Sequence, residues 1–218
     1  SRIDVMVQGT DAERVAEKLL HRLDGVQRDP QEPGALVAMP RTPLRRYTEK
    51  LPGLTQAKLC MLFTAGSADN VPTVSALRVA MNLLGGASTS RLFMNVREKQ
   101  SLCYYCAARH DTPKNVMFVQ SGVETKDLDR TEEAILKELN DMKKGNITDD
   151  EILFAKLAMC NSYNAVADSA ASMETWYLSG MLQGKLHTPE EYAERIMNIT
   201  KDEIVSAAER VTLDTVYK

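Results

Sequence analysis

The sequence predicts an α+β fold in which helices cover one face of a mostly antiparallel sheet. Two observations favour this class. Strand-like segments near 102–109 and 115–122 flank a turn and indicate a hairpin, whereas several helical patterns follow one another after residue 127. Locally paired strands and helices grouped in runs are typical of α+β domains. We therefore expect one α+β domain over residues 1–218.

The N-terminal part of the chain predicts a βα unit followed by a linker. A strand-like run at 3–7 precedes a helix that opens with Thr10 and Glu13, the spacing of a capping box, and ends at Gly25. The apolar stripe of this helix comprises Val15, Leu19 and Leu23. Residues 26–43 are rich in proline without an apolar period, so we expect an extended linker or surface loop there.

The middle of the chain predicts a strand and two helices before the hairpin. Residues 56–66 have the apolar content of a strand that is buried on at least one face. A helix is expected over 71–84, with Pro72 in its first turn and Gly85 beyond its end. A shorter helix is expected over 88–99, and its inner side comprises Leu92, Phe93 and Val96.

The C-terminal part predicts helices near 127–144, 149–167 and 171–183, two short helices and a closing strand at 213–217. Three of these helices begin with a threonine and, three residues later, a glutamate, whose side chains can each bond the other residue's backbone N–H. These pairs are Thr148/Glu151, Thr188/Glu191 and Thr200/Glu203.

Composition excludes several partner classes. The formal net charge of −3 gives no field that would attract nucleic acid or an anionic membrane. No segment has the apolar length of a membrane span or the features of a signal peptide. Four irregularly spaced cysteines in a chain of this length favour reduced thiols and a cytoplasmic location. Because the chain opens on Ser1 and a strand, and closes on another strand, we expect a piece of a longer protein.

The sequence lacks both zinc-peptidase motifs, HExxH and HxxEH. The nearest approach is His187-Thr-Pro-Glu-Glu191, where the second histidine is missing. We interpret this segment as a helix start, which would leave His187 outside the helix and off the face of Glu191. The sequence predicts no catalytic residue and no metal ligand in this chain.

The glycine-rich run 85–90 and the pair Cys103 and Cys106 offer two further hypotheses. A phosphate cradle at the glycines is disfavoured because a helix precedes them, so we interpret them as a helix stop followed by a serine N-cap. The two cysteines lie in a predicted strand, where a spacing of three places them on opposite faces, and packing is the favoured role. A thiol or zinc site remains open unless both sulfurs are buried and beyond disulfide reach.

Four short motifs together resemble the second half of the insulinase/pitrilysin family of zinc metallopeptidases, which includes the mitochondrial processing peptidases. They are Leu-Gly-Gly-Ala-Ser at 84–88, Ser-Arg-Leu-Phe at 90–93, Val-Arg-Glu-Lys at 96–99 and Leu-Cys-Tyr at 102–104. The resemblance extends over nearly the whole chain and is strongest to bacterial zinc-free members of the family.

This resemblance implies two homologous α+β halves that face each other across a chamber. The first half carries HxxEH, and the second contributes an Arg and a Tyr seven residues apart to the bound peptide, which match Arg97 and Tyr104. We therefore expect a substrate-binding half that contains no zinc and is inactive alone. Its expected partners are a peptide and a zinc-bearing homologous half or subunit, and a homo-oligomer is a further alternative. Without the resemblance, Arg97 would be assigned to a solvated helix face and Tyr104 to the core.

Two features keep alternatives open. Ser101 and Cys103 stand where the family often has a glycine and a small residue, so a less tight turn is expected before the strand. Some family members are non-catalytic scaffolds in larger assemblies. A scaffold can bury Arg97 and Tyr104, whereas a peptide-binding half must expose them on a concave wall.

Overall fold

A five-stranded sheet forms the centre of the computed structural model, which describes residues 5–27, 29, 42–65, 71–112, 114–182 and 186–218. The strands are β1 (Arg45–Tyr47), β2 (Gln56–Thr64), β3 (Cys103–Asp111), β4 (Val116–Glu124) and β5 (Thr212–Tyr217). Their order is β1-β5-β2-β4-β3, and all neighbours are antiparallel except β1 and β5. The predicted α+β class and the hairpin of β3 and β4 are confirmed.

Apart from two short 3₁₀ helices, Thr125–Asp127 and Ala165–Asp168, the other elements of the described structure are α- and π-helices. They are α1 (Ala12–Leu23), α2 (Val71–Gly85), a π-helix (Leu92–Lys99), α3 (Leu128–Lys143), α4 (Asp149–Asn164), α5 (Ala170–Leu182), α6 (Pro189–Asn198) and α7 (Lys201–Glu209). The capping boxes predicted at the starts of α4, α6 and α7 are all present with both reciprocal bonds. Within the described ranges, no helix is both long and apolar enough to cross a membrane.

The N-terminal expectations are met only in part. Asp11 occupies the N-cap of α1 without a side-chain bond, so the capping box predicted at Thr10 and Glu13 is wrong. The helix begins one residue too late for Thr10 to reach its free N–H groups. Residues 5–8 form no strand, and 1–4 lie outside the described residues, as do 28 and 30–41 of the predicted linker. The α1 stripe is not core: no residue of α1 is buried.

The core lies between one face of the sheet and the helices. Alternate residues of β2 point to this face, and Leu59, Met61 and Phe63 have no exposed surface. Helices α2 and α3 and the π-helix lie against the sheet, and α7 packs on α2 and α3. The opposite face remains partly exposed, with Phe118 of β4 among its side chains. Among the described residues, the helices therefore cover one face, and β3 lies at an edge of the sheet.

A buried carboxylate joins β5 to β1. The side chain of Asp214 is 3% exposed, and it accepts hydrogen bonds from Thr42, from Arg45 at 2.7 Å and from Thr215 at 2.6 Å. Burial alone would raise the pKa of Asp214, but these bonds outweigh burial and lower the pKa to about 2. Sequence reasoning missed β1, because a three-residue exposed strand has too few residues to show a period.

The Asp214 network makes stability depend on pH. A carboxyl whose folded pKa is depressed stabilises the fold above its unfolded pKa, and this stabilisation is lost as pH falls through the folded pKa. As pH falls from about 4 to 2, protonation of Asp214 should therefore lower the free energy of unfolding by about 2 kcal/mol. Urea denaturation of the protein and of Asp214→Asn across this range should show a steeper decline for the unmodified chain. Parallel declines would contradict the role of the network.

Candidate functional site

The π-helix positions Arg97 beside the N-terminal end of β3. Leu92 and Val96 anchor it in the core, while the Arg97 side chain remains 37% exposed. The guanidinium lies over the Phe93 ring, 4.6 Å from its centroid, and its Nη1 is 3.7 Å from Glu98 Oε1. π-Helices are rare and often occur at functional sites. Because the Glu98 contact is long and Phe93 accepts no directional hydrogen bond, Arg97 retains N–H donors for a ligand.

The start of this helix differs from the sequence prediction. A helix was expected from residue 88, with a serine as its N-cap, but the π-helix begins at Leu92, and Arg91 holds the cap position without a side-chain bond. The hydroxyl of Ser90 is buried and has no hydrogen-bond partner among the described residues. The guanidinium of Arg91 is turned toward Glu151, at 2.9 Å, and ties the helix to the start of α4.

The turn that follows the π-helix is tight. Ser101 has a φ of 52°, in the left-handed region that favours glycine. The N–H of Ser101 donates to the Arg97 carbonyl at 3.1 Å, and the N–H of Leu102 donates to Val96 at 3.2 Å. The expectation of a looser turn is therefore wrong: serine adopts the conformation that glycine would take more easily, and these two hydrogen bonds hold it there.

A β-bulge at Tyr104 then reorients the first residues of β3. Cys103 pairs with Val123 and Tyr105 with Gly122, so Tyr104 is an extra residue in the ladder. The bulge leaves Tyr104 51% exposed and Tyr105 43% exposed, although they are consecutive. Bulges of this kind re-aim side chains at sheet edges. The Tyr105 ring covers Gly122, where an added Cβ would lie 2.5 Å from the ring, which fixes Tyr105 on the outer face.

The same bulge brings the two cysteines together. Their predicted placement on opposite faces is wrong, because the extra residue returns Cys106 to the side of Cys103, where each thiol affects the pKa of the other. Cys106 is buried and Cys103 is partly exposed. The hydrogen bond from Cys106 lowers the pKa of Cys103 to about 7, despite the opposing effect of burial, with help from Ser121 and the charge of Arg97.

Arg97 and Tyr104 line one pocket of about 390 Å³. Its other lining residues are Glu98, Ser101, Leu102, Cys103, Glu124 and Asp127. Two of the acids are paired outside the pocket: Glu124 with Lys126 at 2.7 Å and Asp127 with Arg130 at 2.9 Å. The structure thus joins both predicted site residues in a concavity at the edge strand of the sheet, where they present a guanidinium and a phenol.

A second pocket, of about 460 Å³, lies among α2, α5 and α6 and is rich in aromatic side chains. Its polar groups bond one another: Arg78 lies 5.0 Å from the Tyr192 ring centroid, and Trp176 Nε1 donates to the His187 carbonyl at 2.9 Å. Tyr163 and Trp176 pack edge to face at 5.1 Å. We assign these contacts to the packing of the helices, because they satisfy the groups that a ligand would need.

No group of three or more His, Cys, Asp or Glu residues in the described part of the chain is arranged to hold a metal ion. The predicted separation of His187 from Glu191 is wrong. His187 lies outside α6 as predicted, but its Nδ1 is 3.2 Å from Glu191 Oε2. Glu191 reaches back to bond the Thr188 N–H in the capping box, which brings its carboxylate to His187.

Comparisons with known proteins extend over most of the chain. The family described as "Peptidase M16 inactive domain" matches residues 1–159. The curated protein "Probable inactive metalloprotease YmfF" of Bacillus subtilis is 35% identical over 143 residues, which are 65% of this chain and 33% of that protein. The chain therefore spans about a third of the length of this relative.

Two solved structures share the fold. A conserved protein from Enterococcus faecalis has a TM-score of 0.80 and 29% identity, over 94% of this chain and 48% of that one. The peptidase M16 inactive domain from Pseudomonas fluorescens has a TM-score of 0.70 and 18% identity, over 95% of this chain and 50% of that one. The likeness in sequence and fold confirms the predicted resemblance to the C-terminal half of an insulinase-type peptidase. The chain belongs to the M16 metallopeptidase family, in which it is an inactive domain.

Proposed function

We propose that this domain binds peptide substrates for an M16 metallopeptidase-like protein, with Arg97 and Tyr104 as the side chains that hold the peptide. The observation that carries the proposal is their exposure in one pocket at the end of the edge strand β3. A scaffold could bury both residues without loss, so their exposure on a concave wall favours peptide binding.

The edge of β3 suggests how the peptide backbone is held. In the described sheet β3 pairs with β4 on one side only, which leaves N–H and C=O groups on its other side for an added strand. Strand addition gives affinity through main-chain bonds with little sequence preference. Arg97 can donate charge-assisted bonds to a peptide carbonyl, and the Tyr104 hydroxyl can donate another. These contacts position a peptide but supply no group that cuts it.

Cleavage then depends on a zinc-bearing homologous half or subunit, which is the partner we propose. The peptide would lie between the two, with the metal supplied by that partner. Addition of the zinc-bearing homologue to this domain should produce peptidase activity on a casein digest that neither protein shows alone. If the double variant Arg97→Ala, Tyr104→Phe kept full activity in this assay, the assigned site would be wrong.

Peptide affinity tests the two side chains directly. Arg97→Ala should weaken binding about tenfold to a hundredfold, because a hydrogen bond to a charged group is worth about 1.5–3 kcal/mol. Arg97→Lys should recover only part of the loss, since an ammonium lacks the planar fork of donors. Tyr104→Phe should cost about two- to tenfold, as expected for a neutral hydrogen bond. Fluorescence anisotropy of labelled, unstructured casein peptides with the purified chain provides the measurement.

The adjacent residues provide matched controls. Tyr105→Phe removes an equally exposed hydroxyl that does not line the pocket. Arg109→Ala removes an exposed guanidinium from the same strand, also outside the pocket. Both should leave affinity unchanged. Equal losses in Tyr104→Phe and Tyr105→Phe would indicate a general effect of the strand and contradict the specific role of Tyr104.

A further inference from the structure

We propose that Cys103 is an oxidative modification site in the wall of the Arg97–Tyr104 pocket, where hydroperoxides oxidise its thiolate and Cys106 resolves the product to a disulfide. The chemistry of the thiol pair is independent of the proposed peptide binding. Its consequence for the pocket rests on that proposed function.

The geometry gives the two thiols different access. Cys103 lines the pocket and is partly exposed, so a small peroxide can reach its sulfur from solvent. Cys106 is 4% exposed and lies on the same face of β3 as Cys103, next to it along the ladder. In a regular strand the two side chains would lie on opposite faces of the sheet, so their proximity depends on the bulge at Tyr104. One thiol is thus open to reagents, and the second is shielded from solvent.

The surroundings of the two thiols indicate which one is the nucleophile. Cys106 and the Arg97 guanidinium favour the thiolate of Cys103, against the effect of burial. The pKa of Cys106 is raised, because its proton is shared with Cys103 and because its sulfur is buried. Cys103 is therefore the nucleophile and Cys106 the protonated resolving thiol, the arrangement found in oxidisable cysteine pairs.

The reaction balances with a hydroperoxide as the oxidant. The Cys103 thiolate attacks one peroxide oxygen, the O–O bond breaks, and the alkoxide or hydroxide that leaves takes a proton from water. Cys103 is now a sulfenic acid, oxidised by two electrons. Cys106 loses its proton and attacks the Cys103 sulfur, the S–O bond breaks, and the departing oxygen takes protons to leave as water. Two thiols and one hydroperoxide yield one disulfide, one alcohol or water from the peroxide, and one water.

A disulfide would alter the pocket. The S–S bond of about 2.05 Å is much shorter than the contact distance of two separate thiols, so its formation draws Cys103 toward the buried Cys106. Tyr104 is the next residue and belongs to the bulge that separates the two cysteines. Oxidation should therefore move the Tyr104 side chain relative to Arg97 and weaken peptide binding, if the pocket binds peptide as proposed.

The test starts with thiol reactivity in the reduced, purified chain. Brief iodoacetamide labelling at pH 7, followed by peptide mapping, should modify Cys103 about tenfold faster than Cys60 and Cys160, since a thiolate-rich cysteine reacts first. Hydrogen peroxide should then reduce the intact mass by two hydrogens, with the disulfide mapped to Cys103 and Cys106. Cys106→Ser should instead accumulate a Cys103 sulfenic acid that dimedone traps, and Cys103→Ser should give neither product.

Controls separate the possible failures. Cys106→Ala serves as a second variant, and the melting temperature of each variant reports whether it folds. Equal labelling of Cys103, Cys60 and Cys160, or peroxide treatment that produces no Cys103–Cys106 disulfide, would overturn the proposal. Peptide anisotropy before and after oxidation is a separate measurement. If the disulfide forms in a chain that binds no peptide even when reduced, the thiol site stands and the peptide function falls.

Discussion

Phe63→Ala should lower the free energy of unfolding by about 3–5 kcal/mol, the usual cost of truncating a fully buried phenylalanine. Phe63 lies on β2, the central strand of the sheet, and has no exposed surface. Its removal costs the transfer free energy of the ring and also leaves a cavity that the helices on that face cannot fully close. Urea denaturation followed by circular dichroism would measure the loss.

Phe118→Ala provides a control of identical chemistry on the neighbouring strand. Phe118 pairs with Leu62, next to the Phe63 pairing with Met117, but it points to the other face and is 42% exposed. Its truncation should cost about 1 kcal/mol, because only part of the Phe118 surface is removed from water when the protein folds. Similar losses in the two variants would mean that helices or a partner cover both faces of the sheet in solution, contrary to the described packing.

Gly85→Ala is the second change with a large expected effect. A Cβ at Gly85 would lie 2.7 Å from both the Cβ and the backbone N of Ala108, and 2.9 Å from Leu92 Cδ1. Within a helix, alanine is normally about 1 kcal/mol better than glycine. Here overpacking should reverse the sign and destabilise the fold by about 1–3 kcal/mol, since the backbone of β3 cannot move away cheaply.

Gly25→Ala is the matched change for this prediction. Gly25 follows α1, and an added Cβ there has no neighbour within 4 Å. This variant should leave stability unchanged to within about 0.5 kcal/mol. The change in the free energy of unfolding, measured by thermal and urea denaturation, should therefore be much larger for Gly85→Ala than for Gly25→Ala. A Gly85→Ala variant as stable as the unmodified chain would show that α2 and β3 lie further apart than the structure indicates.

The parts of the fold that were predicted correctly have local causes. The apolar content of 56–66 is sufficient for β2, because one face of a central strand must be apolar. The threonine–glutamate pairs at α4, α6 and α7 fixed the starts of these helices, since a capping box is completed within four residues. The same pattern failed at Thr10, in a helix of which no residue is buried within the described part of the chain.

The parts that were missed depend on residues distant in sequence. β1 is a strand only because it lies beside β5, which is remote in the chain. The left-handed Ser101 and the bulge at Tyr104 result from the way the π-helix and β3 meet, and neither has a signature in residue type. A two-residue period applied to Cys103 and Cys106 therefore gave the wrong faces. The appearance of two adjacent tyrosines in a half-apolar strand was the available hint of irregular alternation.

The candidate site came from a different source than the fold. Charge and periodicity alone would have assigned Arg97 to a solvated helix end and Tyr104 to the core. The resemblance to a known family selected both residues, and the structure brings them into one pocket. The thiol pair beside them was not foreseen, because its proximity exists only once the bulge is formed.

The bulge consists of one extra residue, Tyr104, which deletion of a single codon would remove. Residues 104 and 105 are both tyrosine, so deletion of either codon yields the same protein. That protein would have a regular strand, with one tyrosine left to cover Gly122 and the pairing from Cys106 to Asp111 unchanged. In that register, loss of the pocket tyrosine leaves the core-facing residues of β3 opposite the same partners on β4.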